Sequence, residues 1–469
     1  MASVIEAARG LFGYAPAGIA MAAPGLADLM WRQALKLAEQ KRLDHINAAW
    51  DMYQGDLKEP LVVKSGSPND NVMINYGRVV VDKGVSFLFG REPGFELSEG
   101  ETTPAEAWLT EVWRRNRKNL LLKKAAMNGA VCGHVFIKIV MASPYPRLIN
   151  LPPEYVAVDT DTDDIDQVYR YIIQYGAEGR NGEQLVKRQV VERTDAGRWQ
   201  IVDEVSQDGR SFEMVQSLLW PWDWPPIVDC QNLPAANDYY GTPDLTPDAM
   251  HLIGAYNFVR SNTQRIIRYH AHPKTIGSGF QPGELKGGAD GTIILPSAEA
   301  KLYTIEMMSD LNGSLQQARE LEDAILQLTR TPPVALAKVD GLGQLSGVAL
   351  QILYGPIKEK TDDKRETYGE MLVELNRRLL EMGGYGAENL TTIRWQSSVP
   401  ESRLEAMQVA IMAEQIGVSR DTVLSELGYD AVQEKEKKAD EVADLGDQLL
   451  GQFDRGAVAD DEDEDAKRA

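Results

Sequence analysis

The chain reads as an α+β protein in which helices at both ends enclose a β-rich middle. Three observations set that class. Apolar residues recur at helical spacing over Ala27–Tyr53 and again after Ser346. They alternate with a period of two through six short segments between Val135 and Leu219. A Gly- and Pro-rich stretch then separates two further helical segments, near positions 271 and 309. At 469 residues the chain exceeds the ~250–300 at which single cores stop growing, so several subdomains are expected.

Composition narrows the class. An apolar share of 43% with 25% charged residues is that of an ordinary globular protein. A net charge of −21 argues against a free-standing protein that wraps DNA phosphates. Cys132 and Cys230, both in apolar surroundings, are too few for a disulfide framework or a structural zinc site; both read as buried free thiols of a reducing cytoplasm. Residues 10–30 are apolar, but Glu6 stands where a signal peptide carries positive charge, and Pro16 with two glycines interrupts the run. They read as a mobile or partner-docking arm. Elsewhere no breaker-free run of 18 apolar residues suggests a membrane span.

The elements follow in order. Met30, Ala34, Leu37, Leu43, Ile46, Trp50 and Tyr53 define an amphipathic helix, ended by Gly55 and the turn-forming 65–70. Pro104–Gly129, with Trp108, Leu109, Val112 and Trp113, predicts a second helix. Strands are predicted at Val135–Val140, Tyr155–Val158, Tyr169–Tyr175, Gln189–Arg193, Trp199–Val202 and Met214–Leu219, forming an antiparallel lobe closed by Trp220, Trp222 and Trp224. Helices over Thr246–His270 and Ser309–Thr329 flank an insert, Pro273–Met308, with two strand-like pieces at Gly291–Leu295 and Lys301–Ile305. After Pro332-Pro333 comes a Gly-rich loop, Val334–Gly347. A helix of about 37 residues follows, roughly 55 Å at ~1.5 Å per residue, in which Pro356 predicts a kink. One strand, Thr391–Gln396, precedes a helix pair, Pro400–Ile416 and Ser419–Leu427, with Ser419 and Asp421 as candidate caps. The tail beyond Gln433 ends in six consecutive acids, Asp460–Asp465, and reads as solvated and disordered.

Enzyme signatures are missing from this sequence. Asp159-x-Asp161-x-Asp163 imitates a calcium loop, but Asp164 replaces its glycine and Arg170 its closing glutamate. No phosphate-binding G-x-x-x-x-G-K-[ST], H-E-x-x-H or G-x-S-x-G occurs, and five scattered histidines offer no base for a nucleophile. No catalytic residue, cofactor or metal is assigned. His270 and His272 read as turn or surface residues.

Five landmarks, weak singly but fixed in order, carry a resemblance. They are Arg78–Gly90 (RVVVDKGVSFLFG), Gly133–Ile139 (GHVFIKI), Pro153–Asp159 (PEYVAVD), Asn232-Leu-Pro234 with Tyr240–Leu245 (YGTPDL), and Ser346–Leu350 (SGVAL). Together with the helix–insert–helix–loop–long-helix plan, they make residues 26–427 resemble the portal proteins of tailed phages with headful packaging. The resemblance implies a portal fold assembled as a ring. Its parts would be an N-terminal arm (1–25), a β-rich wing (26–243), two stem helices (244–271 and 309–331) and a small α/β clip (272–308). A tunnel loop (332–346), a long kinked tunnel helix with its return strand (347–399), a helical crown (400–430) and a charged tail (431–469) would complete it.

The function implied is a DNA channel at one capsid vertex, made in the bacterial host cytoplasm and carried in the virion. Implied partners are about twelve copies of the chain itself, double-stranded DNA without sequence readout, the terminase large subunit, the head-completion adaptor, and the major capsid and scaffolding proteins. No membrane is involved. Twelve copies would carry a net charge of roughly −250, which repels the DNA along its length. A few cations could then guide it: Lys338 in the loop, and Arg260, Arg265 and Arg268 in the first stem helix. Gly341 and Gly343, beside Gln344, give the loop its freedom. The competing readings are a solvated loop lysine for Lys338 and salt bridges between subunits for the arginines. The tryptophan cluster reads as core or subunit interface. For the whole chain the alternatives are another virion protein, such as a minor head protein, or a metal-dependent enzyme.

Overall fold

The computed structural model describes residues 24–66, 68–97, 103–161, 163–178, 182–271, 275–279, 286–287, 293–294, 299–304, 311–333, 347–386, 388, 390–396 and 403–426. Two compact units are present: the first lies within residues 1–343 and 352–398, the second within 344–351 and 399–469.

The first unit opens with α1 (Pro24–Gln54) and α2 (Tyr76–Phe89). Asn75 caps α2 by accepting the Arg78 N–H at 2.8 Å, so the first landmark is a helix. A short strand β1 (Gly94–Glu96) leads to α3 (Pro104–Arg115) and α4 (Lys118–Cys132). The single helix expected over 104–129 is therefore two. Asn116 breaks it by donating to the carbonyls of Val112 (2.9 Å) and Pro146 (3.0 Å) while accepting the Leu148 N–H. Arg117 then takes a left-handed conformation, φ 52°.

Two antiparallel sheets follow. One has the order β3 (Arg147–Leu151), β2 (His134–Val140), β9 (Ile227–Gln231). The other is a five-stranded meander of β4 (Val156–Thr160), β5 (Val168–Glu178), β6 (Gln184–Arg193), β7 (Trp199–Ser206) and β8 (Glu213–Leu219). Tyr171, Ile173, Val191, Trp199 and Ile201 turn inward from the meander, as its alternation requires. Strands β1, β3 and β9 had no counterpart among the expected strands.

A helical hairpin follows: α5 (Pro247–Ala271) packs on α6 (Leu311–Leu328). Between them lie β10 (Thr275–Ser278), β11 (Lys286–Gly287), β12 (Ile293–Ile294) and β13 (Lys301–Thr304). They pair β10 with β13 and β11 with β12. The long helix α7 (Gly347–Met382) runs through Pro356. Its later turns form the centre of the first unit's core. Tyr368, Leu372, Leu375 and Leu379 follow one another at spacings of three or four residues and are completely buried in one cluster with residues of α2, α4 and β2, where Tyr368 meets Phe89 edge-on with ring centroids 5.7 Å apart. The last strand, β14 (Thr392–Arg394), pairs with β1.

The tryptophan cluster belongs to this core. Trp222 stacks on Trp224 with ring centroids 5.2 Å apart, and Trp220 is buried beside them. Trp224 Nε1 donates to Glu381 at 2.7 Å, and Arg378 donates to the carbonyls of Pro225 and Ile227, so α7 closes the lobe.

In the second unit, α8 (Arg403–Gln415) and α9 (Arg420–Glu426) form a pair. The Ser419 hydroxyl accepts the Thr422 N–H at 3.3 Å and caps α9; of the two candidate caps it makes this bond. Of the expected arm (1–25), residues 1–23 lie outside the described residues, as does the acidic tail, and 24–25 open α1.

Candidate functional site

A buried charged node lies where the sequence landmarks meet. Asp244, just before α5, has a fully buried side chain. Lys364 Nζ donates to its Oδ2 at 2.7 Å, and Lys360 Nζ stands 3.2 Å from its Oδ1. Asn232 Nδ2 reaches the same Oδ1 at 3.2 Å and the Thr242 carbonyl at 3.1 Å. Tyr368 donates its hydroxyl to Asn232 Oδ1 at 3.1 Å. Lys360 also donates to the carbonyl of Thr329, just past the end of α6. Lys360, Lys364 and Tyr368 are spaced by four residues, so one stripe of α7 holds both roots of the α5–α6 hairpin.

Local backbone explains why these residues meet. A Cβ at Gly84 would stand 2.7 Å from Asp244 Oδ2, and one at Gly129 would collide with the Tyr368 hydroxyl at 2.1 Å. Gly133, at φ 85°, terminates α4, and its carbonyl accepts the Asn232 N–H at 2.9 Å. Three of the five landmarks converge here: 78–90 supplies the space, 133–139 the carbonyl, and 232–234 with 240–245 the polar side chains.

The electrostatics are unbalanced. Burial alone would push the Asp244 carboxyl up, but Lys360 and Lys364 outweigh it and hold the group below the ordinary carboxylate range. Burial brings the Lys364 ammonium down to about 8 despite Asp244, with Lys360 adding repulsion. Two lysines thus share one buried carboxylate. Such an arrangement is maintained only by surrounding hydrogen bonds, and it weakens where one partner is lost.

A second polar centre lies on the adjoining sheet. Asp229 accepts hydrogen bonds from His134 Nε2 (3.0 Å), Tyr171 (2.8 Å) and Tyr239. Burial would raise its pKa, but these donors, His134 foremost, hold it low. His134, from the second landmark, is therefore a structural donor.

A strap pins α5 from the other side. Along residues 70–74 the chain runs extended over one face of the helix. Ile74 N–H bonds Asn257 Oδ1 at 3.0 Å, and Val72 N–H bonds Ser261 Oγ at 2.9 Å. Asp70 receives Arg268 through two bonds (2.7 and 2.6 Å), with Arg265 at 3.5 Å. Side chains four residues apart on a helix thereby serve as a ladder for alternate residues of the strap. Arg268 first, then Arg265, holds the Asp70 carboxyl below its usual range. The arginine pairing is therefore made within the chain. Arg260 lies on the same helix, beside Tyr76, with its Nε buried. Lys338, Gly341, Gly343 and Gln344 lie outside the described residues, as do the side chains of His270 and His272.

The acidic turn after β4 is occupied by its own chain. Arg170 Nε donates to Asp159 at 2.6 Å, and Asp161 and Asp164 accept backbone N–H groups two residues ahead. Among the described residues, no group of three or more His, Cys, Asp or Glu could hold a metal, and no helix is long and apolar enough to cross a membrane. Cys132 and Cys230 are free thiols, Cys132 buried and Cys230 partly exposed, and burial raises both above the ordinary thiol range.

Compared with known families, residues 33–444 match the profile described as "Phage portal protein, SPP1 Gp6-like". The chain belongs to this portal family. It is a portal protein, a structural component of phage-type particles and not an enzyme. Among solved structures, the portal subunit is similar to a chain in the neck of an empty gene transfer agent particle solved with C6 symmetry. That chain is 15% identical, with 75% of this subunit and 89% of that chain covered and a TM-score of 0.49. A chain of the native neck solved with C12 symmetry is 13% identical over the same shares, with a TM-score of 0.47. No curated protein matches.

Sequence reasoning quoted Asn232 and Asp244 as landmarks but gave them no role, and missed Lys360 and Lys364. The signal was there: both lysines fall on the stripe that carries Ile357, Tyr368 and Leu372.

Proposed function

We propose that the portal subunit forms a closed ring of about twelve copies at one capsid vertex, through which double-stranded DNA is packaged without sequence readout. The observation that carries the reading is the buried node. It fastens both roots of the α5–α6 hairpin to one stripe of α7, so force on the hairpin passes to the long helix rather than into a hinge.

In this reading residues 334–346, which follow closely on the Thr329 anchor, line the narrowest part of the channel, with Lys338, Gly341, Gly343 and Gln344 towards DNA. Of the stem arginines, Arg265 and Arg268 act through the strap, leaving Arg260 to guide the duplex. Residues 272–308 form the face for the terminase large subunit and later the head-completion adaptor, and the wing and crown meet capsid and scaffolding proteins. The subunit is made in the bacterial cytoplasm and carried in the virion.

Electron microscopy of the purified chain tests the ring: closed top views with a central hole are expected. Monomers that persist at high concentration and with scaffold present would overturn it. A variant lacking 338–343 should assemble normally but package or retain DNA poorly; normal packaging and retention would refute the placement of the loop. Deleting 273–308 in an intact ring should abolish terminase and adaptor binding, and surviving binding would refute that assignment.

A further inference from the structure

A cleft of about 560 Å³ opens between β1, α3 and the first turn of α4, away from the node and the strap. Phe95, Leu109 and Trp113 form its apolar wall, and Leu120, 46% exposed, stands at its edge. Its lining carries Arg114, Arg117 and Lys118 beside Glu92 and Glu106, and the stretch that bears these cations is basic. Residues 114–124 hold Arg114, Arg115, Arg117, Lys118, Lys123 and Lys124 and not one acid, in a chain whose net charge is −21.

The cations differ in how far they are engaged. Arg114 and Arg115 share Glu111. Lys118 donates to the Pro93 carbonyl at 2.6 Å, lies 3.4 Å from Glu92 and covers the Phe95 ring, so it builds the wall. Arg117, exposed and in a left-handed turn at φ 52°, has no carboxylate partner among the described residues. Within the same lining, the side-chain oxygen of Asn119 is buried and has no hydrogen-bond donor.

We propose that this cleft docks an acidic peptide segment of a partner protein, one that carries a single apolar anchor. The anchor fills the space against Phe95, Leu109 and Leu120. A peptide N–H satisfies Asn119, and a carboxylate pairs with Arg117. Nucleic acid fits these features worse. A phosphate brings neither a donor for Asn119 nor an apolar anchor for the wall of Phe95, Leu109 and Trp113.

The probe is a dye-labelled decapeptide with a central Leu-Phe pair flanked by aspartates and glutamates, titrated with the full-length protein by fluorescence anisotropy. Saturable binding is expected, and it should weaken as salt rises because the rim is exposed. Arg117→Glu should weaken it about tenfold or more, and Leu120→Ser should do likewise without altering circular dichroism. No binding at millimolar protein overturns the proposal, as does equal binding by the Arg117→Glu/Leu120→Ser double variant. Tighter binding of a labelled 12-base-pair duplex would make the patch a phosphate surface and also overturn it. Binding seen only in Glu99→Gln/Glu101→Gln would assign the cleft to the chain's own 98–102 segment, and the partner peptide would again be ruled out.

Discussion

Replacing the two sides of one ion pair in the node should move stability in opposite directions. Asp244→Asn leaves two buried ammonium groups facing each other without a counter-charge, and losing one partner of a buried pair costs about 3–5 kcal/mol. Lys364→Met instead leaves a balanced Asp244–Lys360 pair, still hydrogen-bonded by Asn232. The Lys364 ammonium falls from 10.5 to about 8, which corresponds to about 3 kcal/mol spent at neutral pH on keeping it charged. Asp244 gives up one of its two counter-charges in exchange, so a net gain of ~1–2 kcal/mol remains for the methionine variant.

The sign with pH is equally specific. Between about 8 and 10.5 the unfolded chain holds more protons at Lys364 than the folded one, so stability rises with pH through that window. Below it the penalty is fully present. Asp244 behaves as a depressed carboxylate: its contribution is present at neutral pH and disappears as pH falls through its folded-state value. Guanidinium unfolding followed by tryptophan fluorescence at pH 7 and pH 10 reads both effects. Lys364→Met should raise the midpoint at pH 7 and flatten the alkaline slope. If it destabilises as much as Asp244→Asn and the slope persists, the account of an over-charged node is wrong.

Gly129→Ala should destabilise by ~1–3 kcal/mol through overpacking on the Tyr368 hydroxyl. Adding Tyr368→Phe should recover part of that loss, and a double-mutant cycle that shows no coupling would refute the contact. Ser261→Ala removes both strap bonds of Val72 and should cost about 1–2 kcal/mol locally. Hydrogen exchange over 70–76 should then accelerate; unchanged protection would show the ladder to be idle. Trp224→Phe loses the bond to the Glu381 carboxylate and should lower stability by ~1.5–3 kcal/mol, measured by the same unfolding assay.

The elements that sequence rendered well are those whose own periodicity suffices. The strands of the meander, the α5–α6 hairpin and the length of α7 all followed from spacing. The break at Asn116 did not, because nothing local distinguishes a surface asparagine from one whose amide reaches Pro146, thirty residues on. β3 and β9 were missed because their neighbour β2 is buried on both faces, and short strands beside it need no alternation. The node was half visible. Asn232 and Asp244 stood out as landmarks, but Lys360 and Lys364 sit among Glu359, Asp362, Asp363 and Glu366 and look like a solvated face. Only the register with Ile357 and Tyr368 places them inside. The arginines of α5 were noticed for their charge, whereas their partner Asp70 lies some two hundred residues earlier, beyond any local signal.

The central place of α7 also sets a timetable for synthesis. The core cluster that holds residues of α2, α4 and β2 also contains Tyr368, Leu372, Leu375 and Leu379, which leave the ribosome long after them. From Phe89 to Leu380 the ribosome needs roughly 15–60 s at ~5–20 residues per second. Throughout that interval the nascent lobe has sheets but no keystone, and its exposed surface must be kept from premature association. Closure comes only when the helix bearing Lys360 and Lys364 arrives and meets Asp244. A chain that stops before residue 368 therefore lacks the side chains that close its core, and the completeness of the fold is decided by one of the last helices to be made.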